Sequence, residues 1–158
     1  TRSEKAATTE VDQVLQLIPS LRAYARGLLR RSDEADDLVQ EAYARVLGTA
    51  VPKVAILYAY QDQDDLLIDA AIANGAQGIV IAASGHGSVS TTTKARIREL
   101  EAQGFPVVRA TRTGNGVVAE KPEGIGAGVY SVTKARWLLA LALASGASLD
   151  RIRAYFRA

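Results

Sequence analysis

The second part of the chain contains short runs of apolar residues, and these constrain the fold more than any other feature. Residues 53–59, 78–83 and 105–110 are almost continuous in Val, Ile, Leu, Ala and aromatic side chains. Runs of this kind, with little alternation, are typical of strands that are buried on both faces of a sheet. The sequence therefore predicts three buried strands, and a short fourth strand at 125–129 inside a glycine-rich stretch.

Helical patterns separate and follow these predicted strands. We expect helices over residues 65–74, from Ser90 or Thr91 to 103, over 131–145 and over 148–156. Successive strand–helix–strand units favour a parallel sheet with right-handed crossovers and helices on its faces. Residues 50–158 are thus predicted to form a small three-layer α/β domain with a mainly parallel sheet.

The first part of the chain has a different composition. It carries 7 basic and 8 acidic side chains in 50 residues, against 12 and 9 in the remainder, and only two of the 13 glycines. Apolar residues at helical spacing predict one helix over 19–30 and a second from a cap at Ser32 to Leu47. We expect a two-helix hairpin over residues 1–49, with a boundary near 48–52. Two such helices are too short to be stable alone, so their apolar faces need a partner.

Composition excludes several kinds of function. The absence of cysteine excludes disulfides, thiol nucleophiles and thiolate metal sites, and a single histidine excludes a His-rich zinc site. A net charge of +2 is too small to indicate nucleic-acid binding. No apolar run approaches the roughly 20 residues that span a bilayer, and the first ten residues lack a basic-then-apolar leader. We therefore expect a cytoplasmic protein that has no membrane partner, no cofactor and no metal.

The carboxyl ends of parallel strands are where such sheets hold their working loops. The predicted loops are residues 60–65, 84–90 and 111–116. In the second loop, Ser-Gly-His-Gly-Ser leads toward a helix N-terminus, but it matches neither the dinucleotide fingerprint nor the nucleoside-triphosphate loop. His86 is either a base or an ordinary solvated residue. Acidic side chains in the first loop are either a site for a hard cation or a solvated face, and these are Asp62, Asp64 and Asp65.

The predicted hairpin carries a family motif. Its second helix contains Ala-Asp-Asp-Leu-Val-Gln-Glu at residues 35–41, after Leu-Arg-Ala-Tyr-Ala-Arg at 21–26. Residues 10–47 resemble the opening of region two of extracytoplasmic-function sigma factors. The resemblance implies docking on RNA polymerase, or on an anti-sigma partner, through Asp36, Asp37, Gln40 and Glu41. The promoter-reading parts of that family are missing, so no direct DNA binding is expected. The alternative is a hairpin used only for packing, with a solvated acidic face.

A second resemblance extends over residues 52–156. The motifs that carry it are Leu-Ile-Asp-Ala-Ala at 67–71, Gly-His-Gly-Ser-Val-Ser at 85–90, Thr-Arg-Thr-Gly-Asn-Gly at 111–116 and Lys-Ala-Arg at 134–136. In order and spacing these resemble the C-terminal domain of bacterial type II L-asparaginases. One departure is Tyr-Ser-Val-Thr at 130–133, where that family has Asn-Pro before Lys-Ala-Arg, which places the local geometry of a helix start in question.

The asparaginase resemblance implies a set of substrate contacts rather than a complete catalytic site. In that family the threonine nucleophile and its Thr-Asp-Lys machinery lie in a larger N-terminal domain, whose motifs do not occur in this chain. The C-terminal domain contributes two substrate-contacting residues across a dimer. The matching positions are Ser88 and Glu120, with Glu123 as an alternative because the loop varies in length. His86 stands beside them, where the family has asparagine.

These resemblances predict a chimera, engineered or from a rearranged gene, built on an asparaginase-like C-terminal domain. We expect a folded scaffold that self-associates, as a dimer or a higher oligomer, and that does not turn over asparagine alone. One alternative is a sigma-like regulatory module that binds RNA polymerase or an anti-sigma partner. Another is a subunit of an L-asparagine amidohydrolase that needs a partner chain for its nucleophile.

Overall fold

A computed structural model describes residues 52–157 together with residues 23, 25–27, 38, 39 and 42 of the N-terminal segment. Those seven N-terminal residues are helical. The rest of the predicted hairpin lies outside the described residues, as do boundary residues 48–51. The same holds for the four residues that the sigma-factor resemblance assigns to partner docking.

Four parallel strands form one sheet in the order β1-β2-β3-β4. They are β1 (Val54–Tyr58), β2 (Gly78–Ala83), β3 (Val107–Thr111) and β4 (Ile125–Gly126). The predicted parallel sheet is therefore confirmed. Strand β4 is shorter than the predicted span, because Gly128 adopts a left-handed φ of 60° and forms an antiparallel bridge with Val118.

Four helices accompany the sheet within residues 52–157. They are α1 (Leu66–Ala73), α2 (Thr91–Ala102), α3 (Val132–Ala144) and α4 (Leu149–Arg157). Helix α2 is capped by Ser90, whose hydroxyl accepts from the Thr93 amide at 3.1 Å. Helix α3 is capped in the same way by Ser131, which accepts from the Lys134 amide at 3.4 Å. A serine cap thus starts α3 in place of the proline that the asparaginase resemblance implies there.

The sheet separates two apolar layers. Strand β2 is buried along its whole length, and its side chains alternate between the two faces. Ile79 and Ile81 join the cluster that contains Ile68 of α1 and Ile97 of α2. Val80 joins the other cluster, which is formed largely by α3 and α4. The predicted three-layer α/β arrangement is confirmed for this part of the chain.

Residues from the N-terminal segment contribute to the second of these layers. Ala25, Leu38, Val39 and Ala42 are almost completely buried. They belong to the same apolar cluster as Leu138, Leu139 and other residues of α3 and α4. These four residues therefore pack as part of the α/β core on its α3–α4 face.

Among the residues that the structure describes, no helix is both long and apolar enough to cross a membrane.

Candidate functional site

The turn that follows β2 is tightly closed. Ser84 and Ser88 form an antiparallel bridge, and the Ser84 carbonyl accepts from the amides of Gly87 at 3.1 Å and Ser88 at 2.9 Å. Gly85 and Gly87 have φ values of 49° and 82°, which glycine adopts at little cost. The Gly-His-Gly sequence therefore makes this turn possible. It leaves the side chains of His86 and Ser88 exposed beyond the carboxyl end of β2, in a loop where the sequence predicts function.

A buried arginine lies beneath this turn. Arg109 of β3 is only 3% exposed. Its Nε donates to the Gly87 carbonyl at 2.7 Å, and its Nη1 donates to the Glu123 carbonyl at 3.0 Å. Burial lowers the pKa of Arg109, and the charges of Glu123 and Glu101 oppose that change. Sequence reasoning missed this residue, although an arginine inside an apolar strand run was a visible signal.

The segment of residues 117–124 packs beside the turn. Val118 and Gly128 exchange main-chain hydrogen bonds of 2.9 and 2.8 Å, which places the segment along β4. The Val117 carbonyl oxygen lies 3.4 Å from Nδ1 of His86. A Cβ added to Gly87 would lie 2.6 Å from Cγ1 of Val118. The segment and the turn are therefore in direct contact.

Glu120 lies against α4. Its two carboxylate oxygens accept from Nη1 of Arg153 at 2.7 Å and from Nε of Arg157 at 2.9 Å. Burial alone would raise the pKa of Glu120, but the hydrogen bonds and charges of Arg157 and Arg153 hold that pKa below its ordinary value. Glu120 is therefore a charged partner of α4 at neutral pH.

The alternative glutamate is paired as well. Oε1 of Glu123 accepts from Nη2 of Arg98 on α2 at 2.7 Å. The structure thus brings His86 and Ser88 together in one turn. It directs the carboxylates of Glu120 and Glu123 to arginines of α4 and α2.

Glu101 connects these elements, and sequence reasoning did not single it out. Its Oε1 accepts from Nη2 of Arg153 at 2.5 Å, and its Oε2 accepts from the Gly124 amide at 3.1 Å. Because Arg153 also holds Glu120, one chain of hydrogen bonds joins α2, α4 and residues 117–124. We call Glu101, Glu120, Arg153 and Arg157 the ion-pair network.

Comparison with known proteins assigns this fold to a family. Residues 53–156 match the family described as the glutaminase/asparaginase C-terminal domain. The chain belongs to this family. Residues 14–51 match the family described as sigma-70 region 2, so both recognitions made from the sequence are confirmed.

Relatives of the asparaginase C-terminal domain include whole enzymes. The chain is 43% identical over 112 residues to L-asparaginase 2 of Bacillus subtilis, which covers 67% of this chain and 30% of that protein. It is 42% identical over 111 residues to L-asparaginase 2-3 of Saccharomyces cerevisiae, covering 67% and 31%.

A solved structure supports the same assignment. The probable cytoplasmic L-asparaginase of Campylobacter jejuni superposes with a TM-score of 0.63 at 36% identity, covering 69% of this chain and 38% of that one. The chain therefore spans about a third of the length of the relatives it matches.

The acidic loop of this asparaginase C-terminal domain is not arranged as a metal site. Oδ1 of Asp64 accepts from the Leu66 amide at 3.1 Å, so it serves the start of α1. Burial, and then the charge of Asp69, raise the pKa of Asp65. Within the described residues, no three His, Cys, Asp or Glu side chains are grouped so that they could hold a metal ion. The alternative of a hard-cation site formed by Asp62, Asp64 and Asp65 is therefore unsupported.

The hydroxyl groups near the turn differ in their roles. Ser90 is occupied, because its Oγ caps α2 and donates to Oγ1 of Thr93 at 2.9 Å. Ser88 is exposed, and its hydroxyl has no hydrogen-bond partner within residues 52–157. The Ser88 hydroxyl is therefore accessible, and no basic side chain within residues 52–157 is hydrogen-bonded to it.

Proposed function

We propose that this chain is an asparaginase C-terminal module that supplies Ser88, with His86 beside it, to a substrate site completed by another polypeptide. The observation that carries the proposal is the closed turn after β2, which holds both side chains exposed in a defined position. The family resemblance supports it, because the matching serine contacts substrate across a dimer there. Glu120, or Glu123, would join that site only after leaving its arginine partners.

On its own the module is not expected to hydrolyse L-asparagine. Amide hydrolysis needs an activated nucleophile, a general base and donors for the developing oxyanion. The Ser88 hydroxyl has no basic partner among the described residues, and Nδ1 of His86 faces the Val117 carbonyl. Without a partner the chain therefore serves as a folded scaffold.

Ammonia release from L-asparagine tests this proposal. We expect no release by the chain alone above that of the Ser88→Ala variant. When the chain is mixed with a separately expressed N-terminal domain of the Bacillus subtilis enzyme, release should begin. Ser88→Ala should then lower the rate by about tenfold, the value of one lost hydrogen bond.

Thr133→Ala is the matched control, because it removes an exposed hydroxyl from α3. Its mixture should keep the original rate. Ammonia release by the isolated chain above that of the Ser88→Ala variant would contradict the proposal that another polypeptide must complete the site. A Ser88→Ala mixture that is as fast as the original would contradict the role of Ser88.

Self-association is the second part of the proposal. Large apolar side chains are exposed near the end of β1, namely Tyr58, Tyr60 and Leu66. Exposed apolar surface of this kind favours association. We expect light scattering to give about twice the chain mass of 16.8 kDa, and Leu66→Glu to reduce it. A strict monomer, or a dimer that Leu66→Glu leaves intact, would contradict the proposal that this surface mediates self-association.

A second candidate function follows from the sigma-70 region 2 match over residues 14–51. In this case the N-terminal segment binds RNA polymerase or an anti-sigma partner through Asp36, Asp37, Gln40 and Glu41. The full chain should then retain purified polymerase or anti-sigma factor on a column. An Asp36→Arg/Glu41→Arg variant should lose that retention. If the original chain and the variant retain the partner equally, or if neither retains it, this function is contradicted.

The sigma-70 region 2 match ends at residue 51 and the asparaginase C-terminal match begins at residue 53. This junction supports a chimeric origin, either engineered or by gene rearrangement. The coding DNA tests this origin. We expect an abrupt change between two unrelated parent genes at codons 48–52. Independent homologues that carry both segments in one uninterrupted gene would contradict it.

A further inference from the structure

We infer that Arg109 is the positioning residue of the candidate site. One guanidinium fixes the Ser84–Ser88 turn against residues 117–124, and so sets where His86 and Ser88 are presented. The inference deepens the proposed function and rests on it for the role of Ser88.

The first support is the choice of partners. A buried cation normally pairs with a carboxylate, because leaving water is costly for a charge. Arg109 instead directs Nε and Nη1 to two main-chain carbonyls, those of Gly87 and Glu123. No ion pair of Arg109 occurs within the described residues. Its contacts therefore couple two main-chain segments, which an apolar residue at this strand position would not do.

The second support is the space around the side chain. A Cβ on Gly124 would lie 3.0 Å from Cδ of Arg109, and a Cβ on Gly87 would lie 3.6 Å from its Cβ. Both glycines have left-handed φ values, of 79° and 82°. The arginine is thus enclosed between two glycines, one in each segment that it holds. Glycine at both positions therefore leaves the space that the Arg109 side chain occupies between the two segments.

The third support is the position of the held atoms. Gly87 lies between His86 and Ser88 in the chain, so fixing its carbonyl fixes both neighbours. The second segment meets the same turn at Val117, whose carbonyl oxygen is 3.4 Å from Nδ1 of His86. A guanidinium donates along several fixed directions, whereas a lysine ammonium is a compact point charge. Arg109→Lys therefore keeps the charge and removes the bridge.

The chain contains one histidine, so the imidazole proton signal of His86 in an NMR spectrum is a site-specific probe of the turn. We expect Arg109→Lys to shift this signal. Hydrogen exchange at the Gly87 and Ser88 amides should become about tenfold faster, because the turn opens more readily. Arg136→Lys is the matched control. Arg136 also donates to a main-chain carbonyl, that of Val54 at 3.0 Å. The Arg136→Lys variant should leave the His86 signal unchanged.

A measurement on the unaltered chain does not depend on how the variant folds. The Nε proton of Arg109 should exchange with water at least about tenfold more slowly than that of exposed Arg98, since it is buried and donates to Gly87. A rapidly exchanging Arg109 Nε proton would overturn the inference. A folded Arg109→Lys variant with an unchanged His86 signal and unchanged amide exchange would also overturn it.

Activity separates this inference from the proposed function. In the two-domain mixture, Arg109→Lys should lower ammonia release about as much as Ser88→Ala does. If the mixture releases no ammonia at all, the proposed function fails, while the NMR measurements still decide the role of Arg109.

Discussion

Gly87 and Gly126 lie at positions where any side chain would collide with neighbouring atoms. A Cβ on Gly126 would fall onto the main chain of Ala119 and Val118, and one on Gly87 would meet Val118. Both glycines allow residues 117–124 to approach the sheet and the turn closely. The shape of the candidate site thus depends on glycine at these two positions as well as on the side chains of His86 and Ser88.

The two glycines of the turn give a matched test of this close approach. Gly87→Ala should lower the free energy of unfolding by about 1 kcal/mol more than Gly85→Ala. Both variants force alanine into a left-handed φ, but only position 87 has Val118 at 2.6 Å, while position 85 has nothing within 4 Å. Urea denaturation followed by fluorescence of the single tryptophan measures the difference. Equal losses would show that the contact with Val118 is readily relieved.

At the scale of helices and strands, local signals in the sequence were sufficient to locate three of the four strands and the helices of residues 52–157. Continuous apolar runs identified β1, β2 and β3, and Ser90 and Gly104 delimited α2. The end of β4 was not predictable in this way, because it depends on pairing between Val118 and Gly128. Sequence patterns report local propensity and burial, whereas such a bridge forms only after distant segments meet.

The candidate site likewise contains features that local sequence predicts and contacts that depend on distant residues. The turn that holds His86 and Ser88 was predictable, because glycines and the end of a strand mark it locally. The arginine partners of Glu120 were not, since Arg153 is 33 residues away from it in the chain. The position of Arg109 beneath the turn likewise follows from tertiary packing.

The ion-pair network that joins α2 and α4 should make stability depend on pH. The lowered pKa of Glu120 means that its carboxylate stabilises the fold above the ordinary value of 4.5. That contribution is lost as the pH falls below 4.5 through the lowered pKa. Glu120→Gln should therefore cost about 0.5–1 kcal/mol at pH 7, as ion pairs of this exposure do. The cost should shrink in acid.

Denaturation midpoints from pH 7 to pH 2 measure this cost. Glu99→Gln is the control, because Glu99 pairs with Arg96 at a more exposed position outside the network. It should have a smaller effect at pH 7. A Glu120→Gln cost that stays constant across the range would rule out this ionisation as its source.

At the scale of the whole molecule, two segments with different family matches share one apolar core. Ala25, Leu38, Val39 and Ala42 lie in the cluster of α3 and α4. This arrangement agrees with the requirement that short amphipathic helices find an apolar partner. The N-terminal segment is therefore expected to contribute to the stability of the α/β domain.

Two alanines of the N-terminal segment test this contribution. Ala25 is buried and Ala23 is exposed, and both are helical. Ala25→Asp should lower the free energy of unfolding by about 3 kcal/mol or more, because it buries an unpaired charge. Ala23→Asp should change it by less than about 0.5 kcal/mol. Trp137 on α3 provides the fluorescence signal, so a change reports on the α/β domain. Identical midpoints for the two variants would show that the segment does not stabilise that domain.

The sequential order of the strands has a consequence for biosynthesis. Each strand pairs with the one made just before it, so the sheet can grow in step with translation. Its α1–α2 face is covered as those helices emerge between the strands, whereas α3 and α4 are made last. During that interval the opposite face of the nascent sheet is exposed. Ala25, Leu38, Val39 and Ala42 have already been synthesised by then, and because they pack on this face in the folded chain, we expect them to limit aggregation of the nascent sheet.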